Sequence, residues 1–469
     1  MPSLSETLVD FCLELRPEDI PADVLDNVRL NIIDCIAVGH LAAATEHGAC
    51  IARYLERHDD GDVSCWGLGR RSRLAEAVLA NGTLSGSMNF DDTHNESQLH
   101  PGAHLVPLAI GIAEADDLST ETMTVALVAA LEAACRLAIV APGEFSKKGF
   151  HSSSVLGKIY CALLVARMRG LDREAAVSAV GHAASQAGGL MQCYLDGSWT
   201  LGFHHGWAAT SALVAADMAE AGYPGPREAL DGPLGLFSAF LTPQVLEAGS
   251  VRACKNLGTE WECRNMSLKP YATGCVIHPY IDCLMELIHE HRIDADDVEQ
   301  VTAVIADYLV PIVCAPIDLK RAPSSVFNAR VSLPFILANC FYRDPADPLS
   351  ISEASIADPA VQSLAGRIGY IPDPEPADRR DFIGHIVIEL KSGGRLERRL
   401  HPWKRLHMGH PGTEEDLHGK FRRCMSACTD RVEDAMKLVD NLQVDMPVRA
   451  MMAELAETCN VAYKWQTRG

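Results

Sequence analysis

Four short stretches of the chain concentrate side chains that can move protons or hold a carboxylate. The first runs from Asn81 to His94 (NGTLSGSMNFDDTH) and continues through Leu99-His-Pro-Gly-Ala-His104. It sets Asn89, Asp91, Asp92 and Thr93 beside His94, His100 and His104. Imidazoles titrate near neutral pH, so His100 is a candidate general acid or base. Adjacent carboxylates cannot both point one way. One of Asp91 and Asp92 is expected to cap a helix, and the other to orient a site histidine or to lie at the surface. The second stretch, Lys147-Lys-Gly-Phe-His-Ser-Ser-Ser154, opens a helix from Val155. Hydroxyls and backbone N–H groups at a helix start attract anions, two lysines add to that, and His151 is the acid/base candidate. The third, Gly202-Phe-His-His-Gly-Trp-Ala208, places His204 and His205 beside Gly206, which lets a neighbouring backbone come close. The fourth, LKPYATGCVIHP from Leu268 to Pro279, carries Lys269, Tyr271 and His278. Lys269 suits a substrate carboxylate, or acts as an amine base if desolvated. Each stretch has a plainer reading on its own: a capped turn, an exposed helix start, a core histidine, a Pro/Gly linker.

Other chemistry finds little support. Gly67-x-Gly69 lacks the third glycine and the flanking strand of a dinucleotide fingerprint. There is no Walker A sequence and no GxSxG elbow. His289-Glu-His291 spaces its imidazoles two apart, onto different faces of a helix, so it reads as a solvated helix end. Neither a metal nor an organic cofactor is expected.

The bulk numbers bound the rest. With 469 residues, two to three domains fit and no staple is needed. Apolar residues at 48% and charged ones at 22% argue against disorder over most of the chain. The net charge of −21 argues against a broad nucleic-acid or anionic-membrane face, while leaving room for an anionic small molecule held by a few local cations. Sixteen cysteines are scattered without a CxxC pair, and the start is acidic rather than leader-like. Free, mostly buried thiols in the cytoplasm are expected. The most apolar stretch, Met123 to Val140, contains Glu132 and Arg136, so no membrane span is expected.

These residues need elements to hold them. The first 260 residues read as helices. Ser3-x-x-Glu6 is a capping-box start, and Val24, Leu25, Val28, Ile32 and Ile36 recur on one helical face. Val125–Ala141, Ile159–Met168, Ala175–Leu190 and Trp207–Ala221 are rich in Ala and Gly, which predicts closely packed helices. Near residue 265 the texture changes. Gln300–Leu309 and His385–Leu390 alternate as strands do, and KSGGR followed by Leu396–Leu400 predicts a hairpin. Ile277–Glu290 and Leu333–Tyr342 read as helices between them. The tail from Glu414 returns to helical spacing and is expected to pack back on the first part.

Taken together, NGTLSGSMNFDDTH, HPGAHLVP, GFHSSSVLGK, FHHGWAATSALVAADMAEAGYPGP, LKPYATGCVIHP and ARVSLPF resemble the MmgE/PrpD family nearly end to end. That family includes 2-methylcitrate dehydratase, cis-aconitate decarboxylase and iminodisuccinate epimerase. The resemblance implies a mainly α fold: a large helical domain over residues 1–265 plus 405–469, and a smaller α+β lid domain over 266–404. It implies a homodimer acting without cofactor on a small di- or tricarboxylate. By the same resemblance Thr93, His100, His151, Lys269 and His278 match positions the family places in its active site, and His204 falls in the family's LHxG-like segment. The catalytic candidates are therefore His100, His151, Lys269 and His278, and the substrate-binding candidates are Thr93 and His204, joined from the first and fourth stretches by Asn89, Asp91, Asp92 and Tyr271. Two positions depart. Dehydratase and decarboxylase members have Asp where this chain has Asn89, and many have Lys where it has Leu201. With that acid and that ammonium gone, proton abstraction followed by epimerisation is the expected outcome. Dehydration is the alternative, and carboxylate binding without turnover a third.

Overall fold

The computed structural model describes residues 2–374 and 382–459. The helices that carry the argument are α1 (Leu4–Glu14), α2 (Ala22–Ala43), α3 (Leu74–Ser87), α4 (Gly102–Ala115), α5 (Thr120–Ala138), α6 (Ser152–Arg169), α7 (Arg173–Ser185), α8 (Thr200–Glu220), α9 (His278–His291) and α10 (Thr413–Met425). The strands that carry it are β1 (Thr93–His94), β2 (Met266–Ser267), β3 (Val298–Ala306), β4 (Ile368–Asp373), β5 (Phe382–Leu390) and β6 (Arg395–Trp403). The fold is mainly α with a smaller α+β part.

The chain divides into two units. One comprises Met1–Met191, Thr200–Leu268 and Pro411–Gly469; the other comprises Gln192–Trp199 and Lys269–His410. Gln192–Trp199, placed with the helical part by the sequence reading, groups with the second unit because the Tyr194 ring packs edge-on against Phe327 at 5.4 Å. Residues 460–469 of the sequence-based boundary lie outside the described residues.

The first unit starts as its caps dictate. Ser3 and Glu6 close the expected capping box on α1. The predicted face of α2 is buried except at Leu25, which stays half-buried near the helix start, and from Asn31 to Ala43 every residue is buried, so this helix runs through the interior. Close packing comes from glycine. A Cβ on Gly82 of α3 would stand 2.8 Å from Gly206 Cα of α8, and one on Gly206 would stand 2.2 Å from the Leu79 carbonyl oxygen. The tail does return. Lys420 on α10 reaches Asp34 of α2 at 2.6 Å, and both are fully buried. Two short ladders, Val63–Cys65 with Arg70–Ser72 and β1 with β2, break the purely helical expectation. With two or three residues a strand, neither is long enough to show alternation.

The second unit is built on a four-stranded sheet in the order β4-β3-β5-β6. β3 and β4 are parallel, while β3–β5 and β5–β6 are antiparallel. The predicted hairpin is β5–β6, turning through Gly393 at φ 88°. The edge strand β4 has no counterpart in the sequence reading: Pro372 interrupts IGYIPD, which an edge position tolerates. Helix α9 packs on β5, where Gly384 leaves room for the Pro279 carbonyl; a Cβ there would lie 2.3 Å from that oxygen. This close approach fixes the start of α9 and so His278.

Candidate active site

The loop between α3 and α4 is shaped by its own polar residues. Asn89 takes a left-handed φ of 51°, which turns the chain out of α3. Asp92 then caps α4, with both carboxylate oxygens accepting from Gly102 N at 3.0 Å. The Asp92 carbonyl oxygen in turn accepts from His100 Nδ1 at 2.7 Å. That bond fixes the tautomer: the proton sits on Nδ1, and Nε2 carries the basic lone pair. Thr93 Oγ1 lies 3.3 Å from the same Nδ1, and an Asp91 oxygen lies 3.8 Å from it. The two aspartates therefore divide as their adjacency predicts. The histidine, however, is held by the capping residue's backbone rather than by the other carboxylate. Burial, then the Asp91 charge, raise the Asp92 carboxyl to about 8.

His151 is the N-cap residue of α6. Its Nδ1 lies 3.2 Å from His204 Nδ1, with the rings stacked at 5.3 Å. Two ring nitrogens at that distance share one proton, so one imidazole donates and the other accepts. Burial first and the Lys158 ammonium second lower His204 to about 4, so it is neutral at neutral pH. The His100 and His151 rings are 6.4 Å apart, and Ser153 Oγ accepts from His100 N, which joins the loop to α6.

Lys158 is the residue the sequence reading passed over. It lies one helical turn after Ser154 and is 2% exposed. Its Nζ donates to the carbonyls of Ser154 at 2.9 Å and Gly188 at 3.3 Å. Among the described residues no carboxylate pairs with it, and burial lowers it to about 8. A lysine amid Val155, Leu156, Ile159 and Tyr160 was the available signal. The lysines that were expected to hold an anion do not stand at the helix start. Lys147 pairs with Glu144 at 2.6 Å in solvent, and Lys148 donates to the Phe240 carbonyl. They close a short helix, Glu144–Lys147 with Lys148 as its C-cap, that ends before α6 begins.

A second layer of imidazoles backs the first. His104 Nδ1 lies 3.0 Å from the His100 carbonyl oxygen, 3.1 Å from Tyr160 OH and 3.3 Å from His205 Nδ1. The His205 ring fits only because residue 86 is glycine, where a Cβ would stand 2.2 Å from its Cδ2. Burial holds His104 well below its ordinary range, so it is neutral. His94 is structural: it bonds Ser97 Oγ at 2.7 Å and Glu262 at 3.2 Å beside the β1–β2 ladder.

The remaining candidates belong to the second unit. Lys269 and His278 are each 1% exposed. Tyr271 OH donates to Asp282, accepts from Arg405 at 2.8 Å, and sets its ring edge-on to His278 at 5.6 Å. Burial and the Asp282 charge push the Tyr271 phenol up. Trp403 Nε1 donates to the other Asp282 oxygen at 2.6 Å, so the carboxylate ties β6 to α9. Among the described residues no cluster of three or more His, Cys, Asp or Glu side chains is arranged to hold a metal ion.

Comparison with known proteins bears on the whole chain. Residues 6–248 match the MmgE/PrpD N-terminal domain and residues 271–444 the MmgE/PrpD C-terminal domain. The cis-aconitate decarboxylase-like protein oryM of Aspergillus oryzae is 25% identical, over 97% of this chain and 96% of its own. The cis-aconitate decarboxylase of Aspergillus terreus is 23% identical, over 98% and 96%. The human cis-aconitate decarboxylase is 26% identical, over 94% and 92%. Both domain matches, in order and together spanning most of the chain, make it a member of the MmgE/PrpD family.

Proposed function

We propose that this chain is an enzyme that moves a proton at the carbon beside a carboxylate of a small di- or tricarboxylate. The observation that carries the reading is the fixed tautomer of His100. With Nδ1 held by the Asp92 carbonyl, Nε2 is the basic atom, and a neutral imidazole is a competent base at neutral pH. The neutral His204 and its partner His151 supply a second proton-handling pair. Removing the proton builds a second negative charge beside the carboxylate, which a buried cation offsets far better than water does. Lys158 is such a cation. Lys269 and His278 match active-site positions of the family, and their chemistry suits a cation for a carboxylate and a second acid or base.

What happens after abstraction depends on a leaving group. Asn89 and Leu201, buried where an acid and an ammonium stand in dehydratase and decarboxylase members, favour return of the proton to the opposite face. That outcome is epimerisation. Lyase chemistry is the second reading, favoured by relatives that carry the cis-aconitate decarboxylase name over nearly their whole length and by Lys158, which restores a cation.

Proton NMR in D₂O with citrate, 2-methylcitrate, cis-aconitate and iminodisuccinate separates the readings. Deuterium entering beside a carboxylate with a new stereoisomer supports the isomerase. New vinyl signals, or loss of carboxylate from cis-aconitate, support the lyase. No exchange with any of these acids would sink proton transfer on this substrate class. His100→Ala is expected to lower kcat/KM by roughly 10²–10⁴ while ligand-induced thermal shifts persist.

A further inference from the structure

Gly67 and Gly69, too sparse for a dinucleotide fingerprint, turn a hairpin instead. They join Val63–Cys65 to Arg70–Ser72 with left-handed φ values of 67° and 62°. A Cβ on Gly69 would meet nothing, so the backbone and not the packing asks for glycine there. Beside this turn the first unit holds a cleft of about 290 Å³, lined also by the helix Val448–Thr458. None of the candidate active-site residues lines it.

Burial sorts the lining into an inner end and a mouth. Trp66, His40, Met452 and Leu455 are at most 2% exposed, whereas Arg70 is half-buried and Glu457 exposed. At the inner end the Trp66 and His40 rings lie nearly parallel, 6.2 Å apart. The Cε3 edge of the indole is wedged against Gly39, where a Cβ would stand 2.7 Å from it, so the N–H edge points away from that glycine.

Two polar functions at this end go unused. Trp66 Nε1 has no acceptor. His40 gives its Nδ1 proton to the Ile36 carbonyl at 2.8 Å, which leaves Nε2 a lone pair with no donor among the described residues. A hydroxyl answers both, since it accepts from an indole and donates to an imidazole. At the mouth, Arg70 bonds the His58 carbonyl at 2.6 Å and Asp60 at 3.0 Å through Nη2, and its Nε has no partner. Guanidinium N–H groups suit a carboxylate. Arg71 is already taken by Glu114 and the Asp62 carbonyl. Glu457 lines the same cleft and opposes a second negative charge.

We propose that this cleft binds a small hydroxylated monocarboxylate, with its carboxylate on Arg70 at the mouth and its hydroxyl at Trp66 and His40 at the inner end. Met452 and Leu455 supply an apolar wall for the body between them. At about 30 Å³ for each water-sized group the cleft takes about ten non-hydrogen atoms, the size of one ring carrying both groups. The ligand differs in charge from the di- or tricarboxylate of the imidazole cluster, so the two sites are separate.

The probe is 4-hydroxybenzoate, titrated into the full-length protein and followed by saturation-transfer NMR. Binding with Kd on the order of 0.1–1 mM is expected for a ligand of this size. Benzoate, which lacks the hydroxyl, should bind about 10-fold more weakly, and Arg70→Gln should weaken 4-hydroxybenzoate by about as much. Ala456→Trp, at an exposed lining position, should plug the cleft and abolish binding. The two variants lie on different elements, so either decides if the other fails to fold. Excess citrate or cis-aconitate should leave the titration unchanged, whatever either acid does at the imidazoles. No binding of the probe, equal affinity for benzoate, a folded variant that binds as wild type does, or displacement by cis-aconitate would each overturn the proposal.

Discussion

A single carboxyl sets the loop that presents His100. Asp92 caps α4 with its oxygens and holds His100 with its carbonyl, and its pKa of about 8 has a consequence for stability. The folded state keeps that proton to about pH 8, whereas an unfolded aspartate loses it near 3.9. The stability it contributes is therefore complete below pH 4 and lost as pH rises toward 8. Asp92→Asn removes this dependence and leaves one oxygen for Gly102 N. We expect its melting temperature relative to wild type to be higher at pH 8 than at pH 5; an equal difference at both would place the proton elsewhere. Part of this was legible: the adjacency of Asp91 and Asp92 predicted one cap, and left the other to a histidine or to the surface. Lys158 was not, because its burial depends on Gly188, thirty residues away in a loop that no local pattern announces.

Elements carry the next layer. Helix α10 contributes little chemistry of its own, yet its Lys420 fastens three parts of the first unit. The ammonium sits 2.6 Å from Asp34 on α2, donates to the Phe90 carbonyl at 2.7 Å and lies 3.8 Å over the Phe90 ring. Phe90 lies between Asn89 and Asp91, so α10 pins the candidate loop from behind. Lys420→Met leaves Asp34 buried without its counter-charge, at a cost of about 3–5 kcal/mol. Lys420→Met with Asp34→Leu should recover most of it, which chemical denaturation of the single and double variants would show. If the double variant is no better than the single, the Phe90 contacts rather than the ion pair carry the effect. The tail's helical spacing and its return were readable from the sequence. Its partner was not, since nothing in the order of residues ties 420 to 34. Strand β4 escaped for the opposite reason: its local sequence, broken by Pro372, argues against the pairing that the neighbouring β3 imposes.

Across the whole molecule, buried imidazoles decide the response to acid. Burial lowers His40 and His204 to about 4 each and holds His104 well below its ordinary range. The unfolded chain takes up these protons near pH 6.5, while the folded chain refuses those of His40 and His204 until about pH 4 and that of His104 until well below its ordinary range. Stability therefore falls as pH drops from 6.5 to 4, by up to about 3 kcal/mol for His40 and again for His204. Asp92 works in the other direction, as one group against three. Urea unfolding at intervals between pH 7 and pH 4 should show a steep loss across that window. A flat profile would mean the imidazoles are hydrated in solution. The two-part division of the chain was visible as a change of texture near residue 265. The return of Gln192–Trp199 to the second unit was not, since it rests on contacts of Tyr194 and Gly197 with Ser325, Phe327 and Asn328, far along the chain.

The tie between Lys420 and Asp34 also orders events on the ribosome. The histidines of the first unit emerge early, the whole second unit is then made, and only afterwards does the residue that pins their loop appear. At ordinary elongation speeds the interval is on the order of tens of seconds. During it the nascent chain holds Asp34 without its cation and Phe90 without its clamp, so the histidine loop is not yet set. A message cut short before codon 420 yields a product that has every imidazole and none of the rigidity, and proteolysis can tell it from the finished enzyme.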